Sequence, residues 1–144
     1  MDLFYINTTT SCPQGVYIVA IDQQIHVGDY VIMRVPEEME PYIYGRHWSD
    51  TTKLLKTVAG ISGESFEIKD HTLIMQDHVA HIQSVDDGNL PLPQLADGNY
   101  IIAPQEFLAV SWKDHSFDGR YFGAMDQALI IKKVVPFLMV PSWL

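Results

Sequence analysis

Ser11, Lys56 and Ser116 are the residues whose types and surroundings point to chemistry, and that chemistry is hydrolysis by an activated serine. A serine hydroxyl is a poor nucleophile at its own pKa, so a hydrolase that uses one places a proton acceptor beside it. Lysine can accept only when neutral. In water it titrates near ~10.4, so desolvation must lower its pKa by several units. Lowering it by roughly three units costs about 4 kcal/mol, which a purely structural lysine has no reason to carry. Lys56 is the one lysine framed on both sides by apolar residues, Leu54 and Leu55 before it and Val58 and Ala59 after it, in what reads as a half-buried strand. Lys53, Lys69 and Lys113 lie beside polar residues, and Lys132 and Lys133 form a pair in the last apolar strand. Those read as solvated charges. A snorkelling edge lysine gives the same local pattern, so Lys56 alone leaves both readings open.

Two further segments bear on that choice. SCPQGVY at residues 11 to 17 places Ser11 two residues before Pro13 and four before Gly15, ahead of the apolar run Val16 to Ile21. Proline fixes φ and glycine permits unusual φ, so a serine there can present its backbone N–H to a cleft, as half of an oxyanion hole. Thr8, Thr9 and Thr10 offer hydroxyls for the other half. The plainer reading is a polar turn that opens a strand. SFDGRYFG at 116 to 123 carries Ser116, Asp118 and Arg120, which share one face of an extended segment. Asp118 and Arg120 are expected to form a bidentate pair. Ser116 is left to orient a neutral lysine amine, although the segment also reads as a charged turn.

Taken together, the chain resembles the signal peptidase I superfamily, and more closely its conjugal-transfer, TraF-type peptidases. The nucleophile segment S-x-P-x-G-x-Y of that group is matched by Ser11, Pro13, Gly15 and Tyr17. Its base segment L-L-K-R-V-A-x-x-G-D is matched by Leu54, Leu55, Lys56, Val58, Ala59 and Gly63. The late box S-x-D-x-R-Y-x-G is matched by Ser116, Asp118, Arg120, Tyr121 and Gly123, and a G-D strand start by Gly28 and Asp29. The matches follow the family's order over residues 7 to 135. Thr57, Ser62 and Glu64 stand where the family usually has arginine, proline and aspartate. None of these removes a nucleophile or a base.

The resemblance implies that Ser11 attacks the scissile carbonyl while Lys56 takes its proton and later protonates the leaving amine. The Ser11 N–H and the Thr9 hydroxyl would hold the oxyanion. Ser116 would orient Lys56, and Asp118 with Arg120 would brace the loop. Cys12, the only cysteine, follows Ser11 directly and is a rival nucleophile. Against it, consecutive residues of an extended segment face opposite ways.

The chain's 144 residues, 47% of them hydrophobic, suit one catalytic domain spanning residues 1 to 144. A single cysteine excludes an internal disulfide, and no zinc spacing is present; neither a cofactor nor a metal is expected. The net charge of −9, with 18 acidic against 9 basic residues and no basic cluster, argues against nucleic-acid binding. His78 and His81 read as exposed strand residues rather than ligands.

Short runs rich in Val, Ile, Tyr and Phe, near 16–21, 29–35, 53–59, 65–69, 72–76, 78–83, 99–103, 106–111 and 129–138, are separated by turn signals. They predict an all-β antiparallel fold. The resemblance narrows this to the signal-peptidase-like (LexA-like) β-fold with a catalytic groove and little helix. Residues 37 to 50 and 86 to 98 are candidate insertions flanking that groove.

No apolar run reaches the ~18 residues that a spanning helix needs. The resembled family carries a membrane helix before its serine, whereas ten residues precede Ser11 here. The expectation is a soluble domain of a normally anchored protein at the periplasmic face of the bacterial inner membrane, its anchor trimmed or naturally absent. The apolar end VVPFLMVPSWL suits lipid, the core or a neighbouring molecule equally. The implied substrate is a membrane-associated precursor with small A-x-A residues before the cut, bound as an added strand. For the TraF-like branch it would be a pilin or another conjugation precursor, with other secretion components as partners. A LexA-type self-cleaving protein also pairs serine with lysine, but needs a DNA-binding module that ten residues cannot hold. An inactive relative acting as a peptide-binding or assembly module is the second alternative.

Overall fold

Alternating apolar and polar residues, interrupted every few positions by Gly, Pro, Asp or Asn, build a strand-rich chain. The computed structural model describes residues 3–9, 11–44, 53–113 and 115–141. Thr10, the 45–50 part of the first candidate insertion, His47 and Trp143 lie outside the described residues. Within them the strands are β1 (Phe4–Asn7), β2 (Gly15–Val19), β3 (Tyr30–Arg34), β4 (Lys53–Ile61), β5 (Ser65–Lys69), β6 (Thr72–Met75), β7 (His78–His81), β8 (Gly98–Ile101), β9 (Glu106–Ala109), β10 (Met125–Asp126) and β11 (Ile130–Met139). Two short helices join them, α1 (Glu40–Tyr44) and α2 (Gly119–Phe122).

The strands form a seven-stranded sheet in the order β1-β2-β11-β3-β4-β9-β10 and a four-stranded sheet in the order β7-β6-β5-β8. Every pairing is antiparallel. The all-β antiparallel class expected from the sequence is therefore the class observed.

The main core lies under the four-stranded sheet, where Phe66, Ile68, Leu73 and Met75 meet Leu108, Val110, Phe117 and Tyr121. Gly60 makes this approach feasible: a Cβ there would stand 2.6 Å from Ile102 Cδ1 and 2.8 Å from Met75 Cε. A bulge between Val58 and Gly60 bends β4 at the same place. Leu92, in the second candidate insertion, is buried in this core, and Tyr42 of α1 stacks on Phe117.

The structure departs from the sequence expectation in three places. β1 was not expected: it is an edge strand with Phe4 and Ile6 exposed, so it lacks a clear buried face. The two-residue β10 is too short for a periodic signal. Residues 119–122 form a turn of helix rather than an extended segment, because the Asp118 carboxylate caps it by accepting from Arg120 N at 3.1 Å.

Candidate active site

Ser11 lies on the loop between β1 and β2, and a buried asparagine organises that loop. Asn7 Nδ2 lies 3.2 Å from Thr9 O, 3.2 Å from Cys12 O and 3.0 Å from Pro13 O. The Tyr17 hydroxyl donates to Pro13 O at 2.5 Å, and Gln14 Nε2 to Thr8 O at 2.7 Å. Side chains that bond nearby backbone compete with regular structure, and here they hold the carbonyls of Thr8, Thr9, Cys12 and Pro13 in one compact turn. Gly15 closes it at φ 147°.

Cys12 fastens the turn to the strand of Lys56. Its thiol is buried among Tyr17, Ile32, Leu55 and Val134. It lies 3.7 Å from Leu55 O and 3.6 Å from Thr57 Oγ1, on the residues either side of Lys56. Burial pushes the Cys12 thiol up, against the pull of the Thr57 hydrogen bond and Lys56. A buried, protonated thiol is a packing group rather than a nucleophile.

Lys56 sits mid-strand in β4, opposite Val31 of β3, and is only 6% exposed. Desolvation lowers its pKa; Asp118 and Cys12 oppose the shift and Arg120 reinforces it. No ion pair holds its charge among the described residues.

Asp118 and Arg120 are fully buried and pair in bidentate fashion, Nε to Oδ1 at 2.9 Å and Nη2 to Oδ2 at 3.1 Å. Arg120 also donates to His81 O at 3.0 Å, to Lys113 O at 2.9 Å and to Ser111 O, so one guanidinium ties the end of β7 to the segment that follows β9. Ser111 completes the circuit: its N–H donates to Asp118 Oδ2 at 2.8 Å and its hydroxyl to Ser11 O at 2.7 Å.

Ser116 is buried close by, at 7% exposure. Among the described residues no hydrogen bond joins Ser11 or Ser116 to the Lys56 amine. The Thr9 hydroxyl donates to Asn7 Oδ1 at 2.7 Å, so its proton is engaged within the turn. No group of three His, Cys, Asp or Glu among the described residues is placed to hold a metal.

Three segments far apart in sequence thus meet around one desolvated lysine. The family model for "Signal peptidase, peptidase S26" matches residues 4–139. The chain belongs to the S26 signal peptidase family. It is similar to the plasmid transfer protein TraF of Escherichia coli, with 30% identity over 146 residues, 92% of this chain and 81% of that protein. It is 27% identical over 145 residues to the conjugal transfer protein TraF of Agrobacterium tumefaciens (strain 15955), with the same two coverages. A crystal structure of a signal peptidase I from Enterococcus faecalis V583 aligns with TM-score 0.42 and 17% identity over 76% of this chain and 96% of that one.

In this signal peptidase relative, two residues of the site lie outside the motifs that mark it in the sequence. Asn7 had a local signal, an amide ahead of a run of threonines that could be read as a turn organiser. Ser111, in the stretch VSWK, had none, since its partners are 100 and 7 residues away.

Proposed function

We propose that the chain is a serine endopeptidase that cuts signal-type segments from membrane-associated precursors in a conjugation or type IV secretion system, with pilin maturation as its role. The observation that carries this reading is Lys56: a buried lysine with a lowered pKa, on a strand to which the Ser11 turn is docked through Cys12. A structural lysine in that position destabilises the fold, while a base requires it.

In the proposed reaction Ser11 Oγ attacks the scissile carbonyl carbon and its proton passes to Lys56 Nζ. The oxyanion is held by the Ser11 N–H, one such donor contributing roughly 3 to 4 kcal/mol. Thr9 becomes the second donor by releasing Asn7. Lys56 then protonates the leaving amine, and a water, deprotonated by Lys56, hydrolyses the ester on Ser11. Ser116 steadies the amine, and Asp118 with Arg120 holds the loop that carries it. No cofactor takes part.

The substrate is a precursor with small residues before the cut, presented at the periplasmic face of the bacterial inner membrane. Leu3, Phe4, Ile6, Phe137, Leu138 and Val140 are exposed on β1, on the last residues of β11 and immediately beside them, which suits a lipid surface. No helix among the described residues is long and apolar enough to cross a membrane. Other components of the secretion apparatus would be partners.

The absence of a hydrogen bond between Ser11 and Lys56 supports a second reading, an inactive relative that binds peptide as an assembly module. Mass spectrometry decides between them. A peptide whose apolar segment ends in A-x-A is incubated in detergent with the wild type, Ser11→Ala, Lys56→Ala and Cys12→Ala. Cleavage after the small residue by the wild type and Cys12→Ala, but by neither of the others, is the expected result. Cleavage by none of the four would favour the assembly module.

A further inference from the structure

We infer that Ser111 is a positioning residue for the nucleophile, setting where Ser11 stands relative to Lys56; this rests on the serine–lysine reading above. Three observations converge on it.

The first is register. β4 and β9 pair Val58 with Ala109, and Val110 N donates to Thr57 O at 3.2 Å, one step beyond the end of β9. One residue further along each chain come Ser111 and Lys56, so the β4–β9 register leads the two segments towards each other at the proposed base.

The second is the bond itself. The Ser111 hydroxyl donates to the carbonyl of Ser11 at 2.7 Å, and Ser111 is only 5% exposed. The Asn7 and Tyr17 bonds reach the carbonyls of Thr9, Cys12 and Pro13, on either side of Ser11. Among the described residues, Ser111 is the side chain that reaches the carbonyl of Ser11 itself.

The third is support. The N–H of Ser111 is held by Asp118 Oδ2 and its carbonyl by Arg120 Nη2, both from a fully buried ion pair. A residue fixed at both backbone polar groups cannot follow a drifting partner, so the nucleophile is referred to a rigid point. The buried pair therefore acts on Ser11 through Ser111, without touching the substrate.

A displaced nucleophile loses turnover more than binding. Ser111→Ala is expected to lower kcat by about ten- to a hundredfold with KM little changed, since small misplacements carry such penalties. Ser111→Thr, which keeps the hydroxyl, should recover most of that loss. If Ser111→Ala does not fold, Ser111→Cys, close in size but a weak donor, carries the same comparison.

A readout independent of turnover is the alkylation of Ser11→Cys by iodoacetamide as a function of pH, with the modified residue located by fragment mass spectrometry. A thiol beside Lys56 ionises early. Adding Ser111→Ala should move its midpoint towards that of a free thiol and slow the reaction. Unchanged kcat in Ser111→Ala, or an unchanged alkylation profile, overturns the inference. A wild type that cleaves nothing defeats the serine–lysine reading alone, and the alkylation comparison still decides the place of Ser111.

Discussion

The Cys12 thiol stands 3.6 Å from the Thr57 hydroxyl, so the residue after the proposed nucleophile rests on the residue after the proposed base. Native Cys12 is therefore expected to resist iodoacetamide at pH 8 and to react once the chain is unfolded in urea. Cys12→Ala should cost about 1 kcal/mol of stability and keep peptidase activity. Rapid modification of the native thiol would place it outside the core and revive it as a nucleophile.

Lys56 gives stability and activity opposite dependences on substitution. Burial disfavours its ammonium form, so its folded-state pKa lies below its unfolded one. Between the two values the unfolded chain binds more protons, and stability rises with pH; below the folded value the penalty is fully present. Lys56→Met is thus expected to melt higher than the wild type at neutral and acidic pH, each unit of lowered pKa being worth about 1.4 kcal/mol. The advantage should shrink as the pH approaches the 10.5 of a free lysine. The wild-type kcat/KM should rise with pH through a midpoint below that value, and Lys56→Met should be inactive. Melting curves and pH–rate profiles check the two halves separately.

The Asp118–Arg120 pair is buried on all sides, so removing one partner strands the other. Asp118→Asn and Arg120→Met are each expected to lose about 3 to 5 kcal/mol in urea titrations. Arg120→Lys should not rescue, because an ammonium cannot serve Asp118 in a fork and still reach Ser111, Lys113 and His81. A stable Arg120→Lys would show that charge alone suffices.

Gly15 combines a positive φ of 147° with close approach to β11, where a Cβ would meet Leu138 O and stand 2.6 Å from Met139 Cε. Gly15→Ala should destabilise the β2–β11 pairing, and with it the Ser11 turn, lowering both the melting temperature and kcat. Wild-type values for both would mean that the turn tolerates a shift of β11.

Phe137 and Leu138 are 55% and 63% exposed, beside an open hollow of about 400 Å³ lined by Ile6, Gly15, Met139 and Val140. Phe137→Asp with Leu138→Asp should abolish co-flotation with phospholipid vesicles and leave cleavage of a soluble peptide intact. Flotation that survives would move the lipid contact elsewhere.

The sequence made the fold legible where a strand buries one face, as with Ser65–Lys69, because alternation is a local property, and where an unbroken apolar run is buried on both, as with Tyr30–Arg34. It made Lys56 legible for a related reason: a charge among Leu54, Leu55, Val58 and Ala59 stands out from its neighbours. β1 escaped because an exposed edge strand leaves little pattern. The helical turn at Gly119–Phe122 escaped because its cap, Asp118, reads equally well as half of an ion pair. Ser111 was invisible for a deeper reason. Its importance lies in the partners that the fold brings to it, and an isolated serine beside a tryptophan carries no trace of them.

Strand β11 lies between β2 and β3, so the sheet reaches from the strand after Ser11 to the strand of Lys56 through residues 130–139 and then β3. On the ribosome, β2, β3 and β4 emerge long before the strand that unites them. The proposed centre is thus completed only when residues 130–139 have entered the sheet, and a chain cut short before them lacks that closure.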